Sequence, residues 1–451
     1  MPKLVEGSLI LGVVVPALAF GGAEPVSFAF IELLFLSTAA ALVLRDGVKP
    51  FSWRALLVPS LLIGVVLLQL CPVPASWLAR FAAREAPVAG RHANWSIEPH
   101  STLSQFLILI TCLIAFYLAQ LMTRDREGKQ RLLVSLVGLG AFEAFYGLVQ
   151  YLSGWQKIFL YAKKYDLEEA TGTYINRNHY AGLLEMILPF AVALTFYEYV
   201  KFRGRGSETA TSVKRIMQRR SFQRFVLYLG IAVVLFAALI FSRSRMGIIA
   251  ACASILVIFG LSMVSRRQGK AFLAVFAVFV ALSAAFAFWI GPGPIVSRFE
   301  NVGQEYEIGE QSRLSIWRDA AGLIERHPLL GTGLGTFPIA YTSVQTAFLG
   351  QFVNHAHNDY VELASDLGLP AALLLFASFF FILARAARAF QFAAGNFDPA
   401  VALGCVGSLA AILLHSLTDF NLYMPANALI FSVVLGLAIS TRPQNAEVRS
   451  E

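Results

Sequence analysis

The chain has 451 residues, 57% of them hydrophobic and only 14% charged, against roughly 25% charged for an ordinary soluble domain. That composition excludes a soluble enzyme and describes a membrane protein. The net charge of +8 lies largely in loops on one side of the predicted spans, so anionic lipid headgroups account for it better than nucleic acid.

Apolar runs able to cross a hydrocarbon core of about 30 Å as helices fall at 7–22, 26–44, 54–71, 104–122, 132–152, 181–200, 225–242, 246–264, 271–290, 368–385, 400–415 and 427–440. The pattern predicts an all-α polytopic membrane protein of about twelve spans. The first run has features of a signal peptide, with "MPK" before it and "ALAFGGA" as a cleavage-like stretch. It reads as a retained span, because a second span follows at once and an even count suits the charge pattern. Cys112, Cys252 and Cys405 fall within spans and Cys71 at a span end, with no disulfide framework or metal-ligand spacing.

Basic residues concentrate in "RDGVKPFSWR", "TRDREGKQR", "KFRGRGSETATSVKRIMQRRSFQR" and "SRRQGK". Short basic loops stay inside, so both termini are expected in the cytoplasm of a bacterial inner membrane. The chain then divides into a bundle of nine spans (1–290), an outer loop (291–367) between the ninth and tenth spans, and the last three spans with a cytoplasmic tail (368–451). The outer face is the periplasm, which holds no nucleotide pool. Chemistry there needs a substrate activated before it arrives.

The outer loop opens with "GPGP", a helix stop, and an acidic strip, "FENVGQEYEIGEQ". "SRLSIWRDAAGLIERHP" reads as an amphipathic helix capped by Ser312, with Leu314, Trp317, Ala321 and Ile324 on one face and Pro328 as terminator. The glycines of "GTGLGTF" lack dinucleotide-binding spacing and suggest a tight turn, with a phosphate cradle as the lesser option. "NHAHNDY", residues 354–360, follows, and "NDYVELASDLG" reads as a short helix ended by Gly368. A lid over the bundle mouth, carrying His355 and His357, is the expected arrangement.

Three other polar groups fall on the same face. "GTYINRNHYAG" places Asn176, Arg177, Asn178 and His179 before the sixth span. "SRSRM" brings Arg243 and Arg245 to the membrane edge, and "HSLTDFNLYMPAN" adds His415, Asp419 and Asn421. Arginines on the outer side oppose the positive-inside bias. Either they reach lipid phosphates or pair with a carboxylate such as Asp419 or Glu185, or a guanidinium fork holds a phosphate or pyrophosphate. His92, His100 and His327 read as ordinary surface or hydrogen-bonded residues. His355 and His357 suit either a metal, with Asp359 or Glu362 as third ligand, or a general base, since free imidazole titrates near neutrality. No matching His or Cys cluster elsewhere on this face supports the metal.

"HPLLGTGLGTF", "HAHNDYVELASDLGLPA", "HSLTDFNLYMPANA", "GTYINRNHYAG" and "SRSRMG" together resemble the O-antigen ligase and polymerase superfamily of polytopic glycosyltransferases, from about residue 170 to the C-terminus. The resemblance implies a GT-C-like enzyme that moves a glycan from undecaprenyl pyrophosphate to an acceptor hydroxyl, inverting the anomeric centre without metal or cofactor. The acceptor would be a glycan or glycolipid such as a lipid A core, with a growing polysaccharide on the lipid carrier or a protein serine as the other acceptors that this donor chemistry serves. By the family motif His357 matches the loop histidine before Asn, and Arg245 the arginine of the Ser-Arg turn, with Gly247 following. Arg177 is similar to an arginine found before the sixth span in some members, and Arg243 is an extra arginine. Physical chemistry points the same way: guanidinium groups stabilise a pyrophosphate leaving group, and an imidazole takes the acceptor proton. His357 is the expected base, oriented by His355 or Asp359, with Asn358, Asn176 and Asp419 in support. A polymerase would use the same donor chemistry. The alternative from another class is a transporter of a small anion or lipid-linked glycan, with Glu32, Glu143 and Glu185 along its path. No internal repeat or matched pair of broken spans favours it.

Overall fold

The computed structural model describes residues 2–47, 53–74, 76, 92–204, 217–264, 269–290, 302–346, 352–392 and 397–441. The "GPGP" stop at 291–294, residues 299–301 of the acidic strip and parts of three basic inner loops lie outside these residues, as does the side chain of His92. Helices dominate: α1 (Pro2–Leu18), α2 (Pro25–Asp46), α3 (Trp53–Leu70), α4 (Pro99–Met122), α5 (Arg126–Ser153), α6 (Arg177–Gly204), α7 (Arg220–Phe241), α8 (Arg245–Val264) and α9 (Gly269–Ile290). After these come α10 (Val302–Arg326), α11 (Phe337–Tyr341), α12 (Asp359–Leu367), α13 (Leu369–Phe392), α14 (Phe397–His415) and α15 (Pro425–Ser440). Two small antiparallel hairpins, Pro72–Pro74 with His92–Asn94 and Lys157–Ile158 with Tyr161–Ala162, are the described strands.

Each predicted apolar run falls on a helix. Among the described residues eight helices, α2, α4–α8, α13 and α14, are long and apolar enough to cross a membrane. The apolar parts of α3, α9 and α15 are shorter, and so is α1 as a helix. This is the architecture of a multi-pass membrane protein.

Helix α6 is the axis of the bundle, buried along its whole apolar window. It runs antiparallel to α14, whose Gly404 and Gly407 let it close in. A Cβ at Gly404 would meet the Phe190 ring at 2.4 Å, and one at Gly407 would meet Pro189 at 2.6 Å. Small residues give membrane helices this close approach. The packing aligns polar residues at the start of α6 with those at the end of α14.

The loop helix differs from its sequence reading in two ways. α10 begins at Val302, so Ser312 lies inside the helix and does not cap it; the Glu- and Gln-rich acidic strip is a good helix former and extends it. Its buried face is Ile316, Asp319, Ala320 and Leu323, with Trp317 partly covered, while Leu314 is 54% exposed and Ala321 is exposed. Asp319 explains the slip. Buried yet polar, its carboxylate accepts from the Tyr341 hydroxyl, Thr346 N–H and the Thr346 hydroxyl, so hydrophobicity alone misplaces the stripe.

Candidate active site

Residues 354–358 are held by bonds on either side of Ala356. Its N–H donates to Glu362 Oε2 (2.7 Å) and its carbonyl accepts from Trp317 Nε1 (2.8 Å). His355 and His357 flank this pinned residue. His355 Nδ1 donates to the other oxygen of Glu362 (2.7 Å), and its ring stacks on Phe420 at 3.9 Å. Glu362 is 1% exposed, so a buried carboxylate fixes the imidazole orientation and leaves Nε2 as the outward nitrogen.

His357 adopts a left-handed backbone (φ 50°), a conformation that costs a non-glycine residue of order 1–3 kcal/mol. The bonds on its C-terminal side impose it. Asn358 caps α12 by accepting from the N–H groups of Tyr360 and Val361, and its amide donates to Leu417 O. Asp359 N–H donates to the carbonyls of Ser416 and Asp419. The strained residue is thus clamped to the turn after α14, a feature common at functional sites.

That turn carries Asp419, 1% exposed. His357 Nδ1 and His179 Nε2 each stand 3.8 Å from its Oδ1, and His415 Nε2 stands 3.9 Å from its Oδ2. Among the described residues none of the three nitrogens has a hydrogen-bond partner. Burial alone would raise the Asp419 carboxyl, but the His179 and His357 rings, with His415 behind them, outweigh it and hold it well below the usual range. Deeper in the bundle, His415 Nδ1 donates to Glu185 at 3.0 Å. A chain of acid and imidazole therefore runs from Glu185 through His415 and Asp419 to His357. Among the described residues no group of three His, Cys, Asp or Glu has metal-holding geometry.

Asp359 has different neighbours from those its spacing suggested. Its carboxylate accepts from Leu422 N–H at 3.2 Å and is fully buried. It braces α12 against the Asn421–Tyr423 turn, and the carboxylate beside His357 is Asp419. Burial pushes the Asp359 carboxyl well above its usual range; the Ser416 side chain and Leu422 N–H oppose this, and the Glu362 charge adds to it. A carboxyl raised in the folded state contributes stability that is complete below its unfolded value of about 3.9 and is lost as pH rises through the folded value. Asp359→Asn keeps the neutral form at every pH. Its melting temperature, measured in detergent, should gain on the wild type as pH rises above about 4; an unchanged difference would mean that Asp359 is charged in the fold.

The glycine turn is occupied by the protein itself. Gly331, Gly333 and Gly335 all have positive φ, and the N–H groups of Gly333 and Gly335 donate to the Asp366 carbonyl and to Asp366 Oδ2. The Tyr423 hydroxyl donates to the same carboxylate oxygen. An aspartate sits where a phosphate cradle was an option, and the turn locks α12 in place.

Arg177 and Arg243 converge on Glu169, and Arg245 begins the helix beside them. Arg177 opens α6, where Asn176 Oδ1 accepts from Asn178 N–H, and Arg245 opens α8, where Ser244 Oγ accepts from Gly247 N–H. A Cβ at Gly247 would meet Ala181 at 2.6 Å, so the two helix starts lie side by side. Arginine in a first turn opposes the helix dipole, and local folding does not call for it twice. Arg243, between α7 and α8, is also left-handed (φ 55°). Arg177 Nη1 reaches Glu169 Oε1 at 2.5 Å, and Arg243 Nη1 lies 3.7 Å from the same oxygen and 3.3 Å from Glu168. For Arg177 and Arg243 the carboxylates are those of the 166–169 loop and not Asp419 or Glu185. Pairing across 75 residues has no local signature.

Phe420 and Arg313 escaped the sequence reading. Phe420 stacks on His355 and meets the rings of His179 and His357 edge-on, at 4.6 and 5.1 Å. Arg313 of α10 lies within electrostatic reach of His415. The aromatic residue directly after Asp419 was the available signal for the first; for Arg313 it was an arginine four residues before Trp317.

Residues 230–376 match a family described as O-Antigen ligase. The match covers about a third of the chain and includes Arg243, Arg245, Arg313 and both loop histidines, while Arg177, His415 and Asp419 lie outside it. No curated protein matches the chain.

Proposed function

Membership of the O-antigen ligase superfamily, supported by the match over residues 230–376, is the premise from which we propose that this protein is an inverting glycosyltransferase that takes a glycan from undecaprenyl pyrophosphate. The acceptor is a hydroxyl on a lipid A core, and the reaction occurs on the periplasmic face of the inner membrane. One observation carries the reading: the start of α6 presents Arg177 towards Arg243 and, two residues later, His179 towards Asp419 and His357. Cations suited to a leaving pyrophosphate thus meet, at one helix terminus, the imidazole–carboxylate cluster to which His357 belongs.

In this mechanism the bond from sugar C1 to the pyrophosphate oxygen breaks as the acceptor oxygen bonds to C1 from the opposite face. The proton of the acceptor passes to His357, and Asp419 stabilises the imidazolium that forms. Arg177, Arg243 and Arg245 take up the charge growing on undecaprenyl pyrophosphate. Glu168 and Glu169, which hold Arg177 and Arg243 without donor, yield their places to the diphosphate. The His355–Glu362 pair keeps the loop rigid and offers a hydrogen bond to the acceptor. An apolar cavity of about 130 Å³, lined by Leu62, Leu109, Leu363, Leu422, Tyr423 and Phe431 among others, shares Tyr423 with the surroundings of the His355 ring and suits part of a lipid-bearing substrate.

Incubating purified protein with a lipid-linked oligosaccharide and candidate acceptors, then resolving chain length and linkage, tests the reading. A single addition to a lipid acceptor is expected. A ladder of lengths on the carrier would make the protein a polymerase with the same donor chemistry. Uptake into proteoliposomes without release of undecaprenyl pyrophosphate would make it a transporter.

A further inference from the structure

The far end of α6 holds a second built site. From His179 to Glu198 the helix rises about 28 Å, close to the thickness of a hydrocarbon core of about 30 Å, so Glu198 stands at the opposite membrane interface from the histidines. There α1, α5, α6, α7 and the start of α14 surround a cavity of about 480 Å³, within the size range of small-ligand sites. We propose that this cavity binds a phospholipid whose headgroup carries a primary ammonium.

Glu198 lines the cavity and is 3% exposed, yet among the described residues its Oε2 has no hydrogen-bond donor. Its charged neighbours among those residues stand at ion-pair range, Arg224 Nη1 at 3.6 Å from Oε1 and Lys201 Nζ at 3.9 Å from Oε2. A shielded carboxylate oxygen without a donor is rare in a folded protein. Arg224 and Arg131 also line the space, Arg131 held by Glu6 at 2.8 Å. Carboxylate and guanidinium groups around one cavity match a zwitterion: the phosphate takes the arginine forks and the ammonium supplies N–H donors to Glu198. Ile10, Val134, Leu194 and Leu227 complete the wall with an apolar surface for the glycerol and the first acyl carbons. A free headgroup leaves that surface uncovered.

The test is native mass spectrometry and thermal melting of the intact protein in detergent with added lipids. Phosphatidylethanolamine should be retained and should raise the melting temperature. Phosphatidylcholine, which has no N–H, and phosphatidylglycerol, which has no cation, should each bind about tenfold more weakly or worse, as expected when a buried charged acceptor loses its ammonium donor; soluble phosphoethanolamine, which keeps the ammonium but covers none of the apolar wall, should also bind about tenfold more weakly or worse. Glu198→Gln should reduce phosphatidylethanolamine to the phosphatidylcholine level. Leu227→Trp, which narrows the cavity from its apolar side without touching a charge, should weaken phosphatidylethanolamine similarly and stands in if the Glu198 variant does not fold. Equal binding of the ethanolamine and choline lipids, or of phosphatidylglycerol, overturns the proposal. So does full binding of soluble phosphoethanolamine, or an unchanged lipid preference in both variants.

Discussion

His357→Ala is expected to lower the transfer rate by about 10²–10⁴-fold, the range contributed by a positioned general base, while the protein inserts and melts as the wild type does. The side chain is 37% exposed, so its removal leaves no core cavity, and the clamp on residues 358 and 359 acts through backbone and Asn358 contacts that the variant retains. Loss of a strained left-handed histidine should even relieve a little backbone cost if glycine replaces it. Asp419→Asn should lower turnover less, because the imidazole remains and only the charge that stabilises its protonated form is gone. His355→Ala should act mainly on the acceptor KM, since His355 belongs to the loop-fixing pair with Glu362. Steady-state kinetics on purified variants separate these outcomes. Near-normal turnover in His357→Ala, with His355→Ala inactive, would transfer the base role to the His355–Glu362 pair.

Lysine at Arg177 or Arg245 should cost about 10²–10³ in turnover, as removal of one preorganised donor to a developing anion does, although the charge is kept. Lysine lacks the planar fork that matches two phosphate oxygens at once. Arg177→Lys should also loosen the 166–169 loop, because Glu169 loses its 2.5 Å partner. Arg243→Ala offers a contrast. Its guanidinium is held by Glu168, which is 84% exposed, and more distantly by Glu169, so a role confined to that pair predicts little change, whereas a role on the donor predicts a large one. The account predicts the large loss, seen as a fall in turnover and weaker donor binding, with the melting temperature moving by only a few degrees. Glu168→Gln should tighten donor binding, since one competitor for Arg243 is weakened.

The spans were legible because apolar length is a local property, and each run fell on a helix. The polar clusters were legible too: four separate stretches were singled out, and Asp419 sits beside histidines from three of them. What spacing could not give was which acid meets which base. Asp359 and Glu362 lie three residues apart on one turn, yet one braces Leu422 N–H and the other holds His355. That division depends on where the 416–422 turn packs, information carried by α14 and not by the loop. The α10 face failed for a related reason, since Asp319 is buried by partners on another segment. The glycine turn was recognised as a turn, but its occupant, Asp366, is 31 residues from Gly335.

The most direct measurement of the central claim is the identity of the lipid released when purified protein turns over a defined undecaprenyl-pyrophosphate oligosaccharide with no nucleotide sugar added and a chelator present. Cleavage at sugar C1 predicts one undecaprenyl pyrophosphate for each new glycosidic bond, formed with inverted anomeric configuration and lost in His357→Ala. Release of undecaprenyl monophosphate, or turnover only when a nucleotide sugar is supplied, would contradict the account.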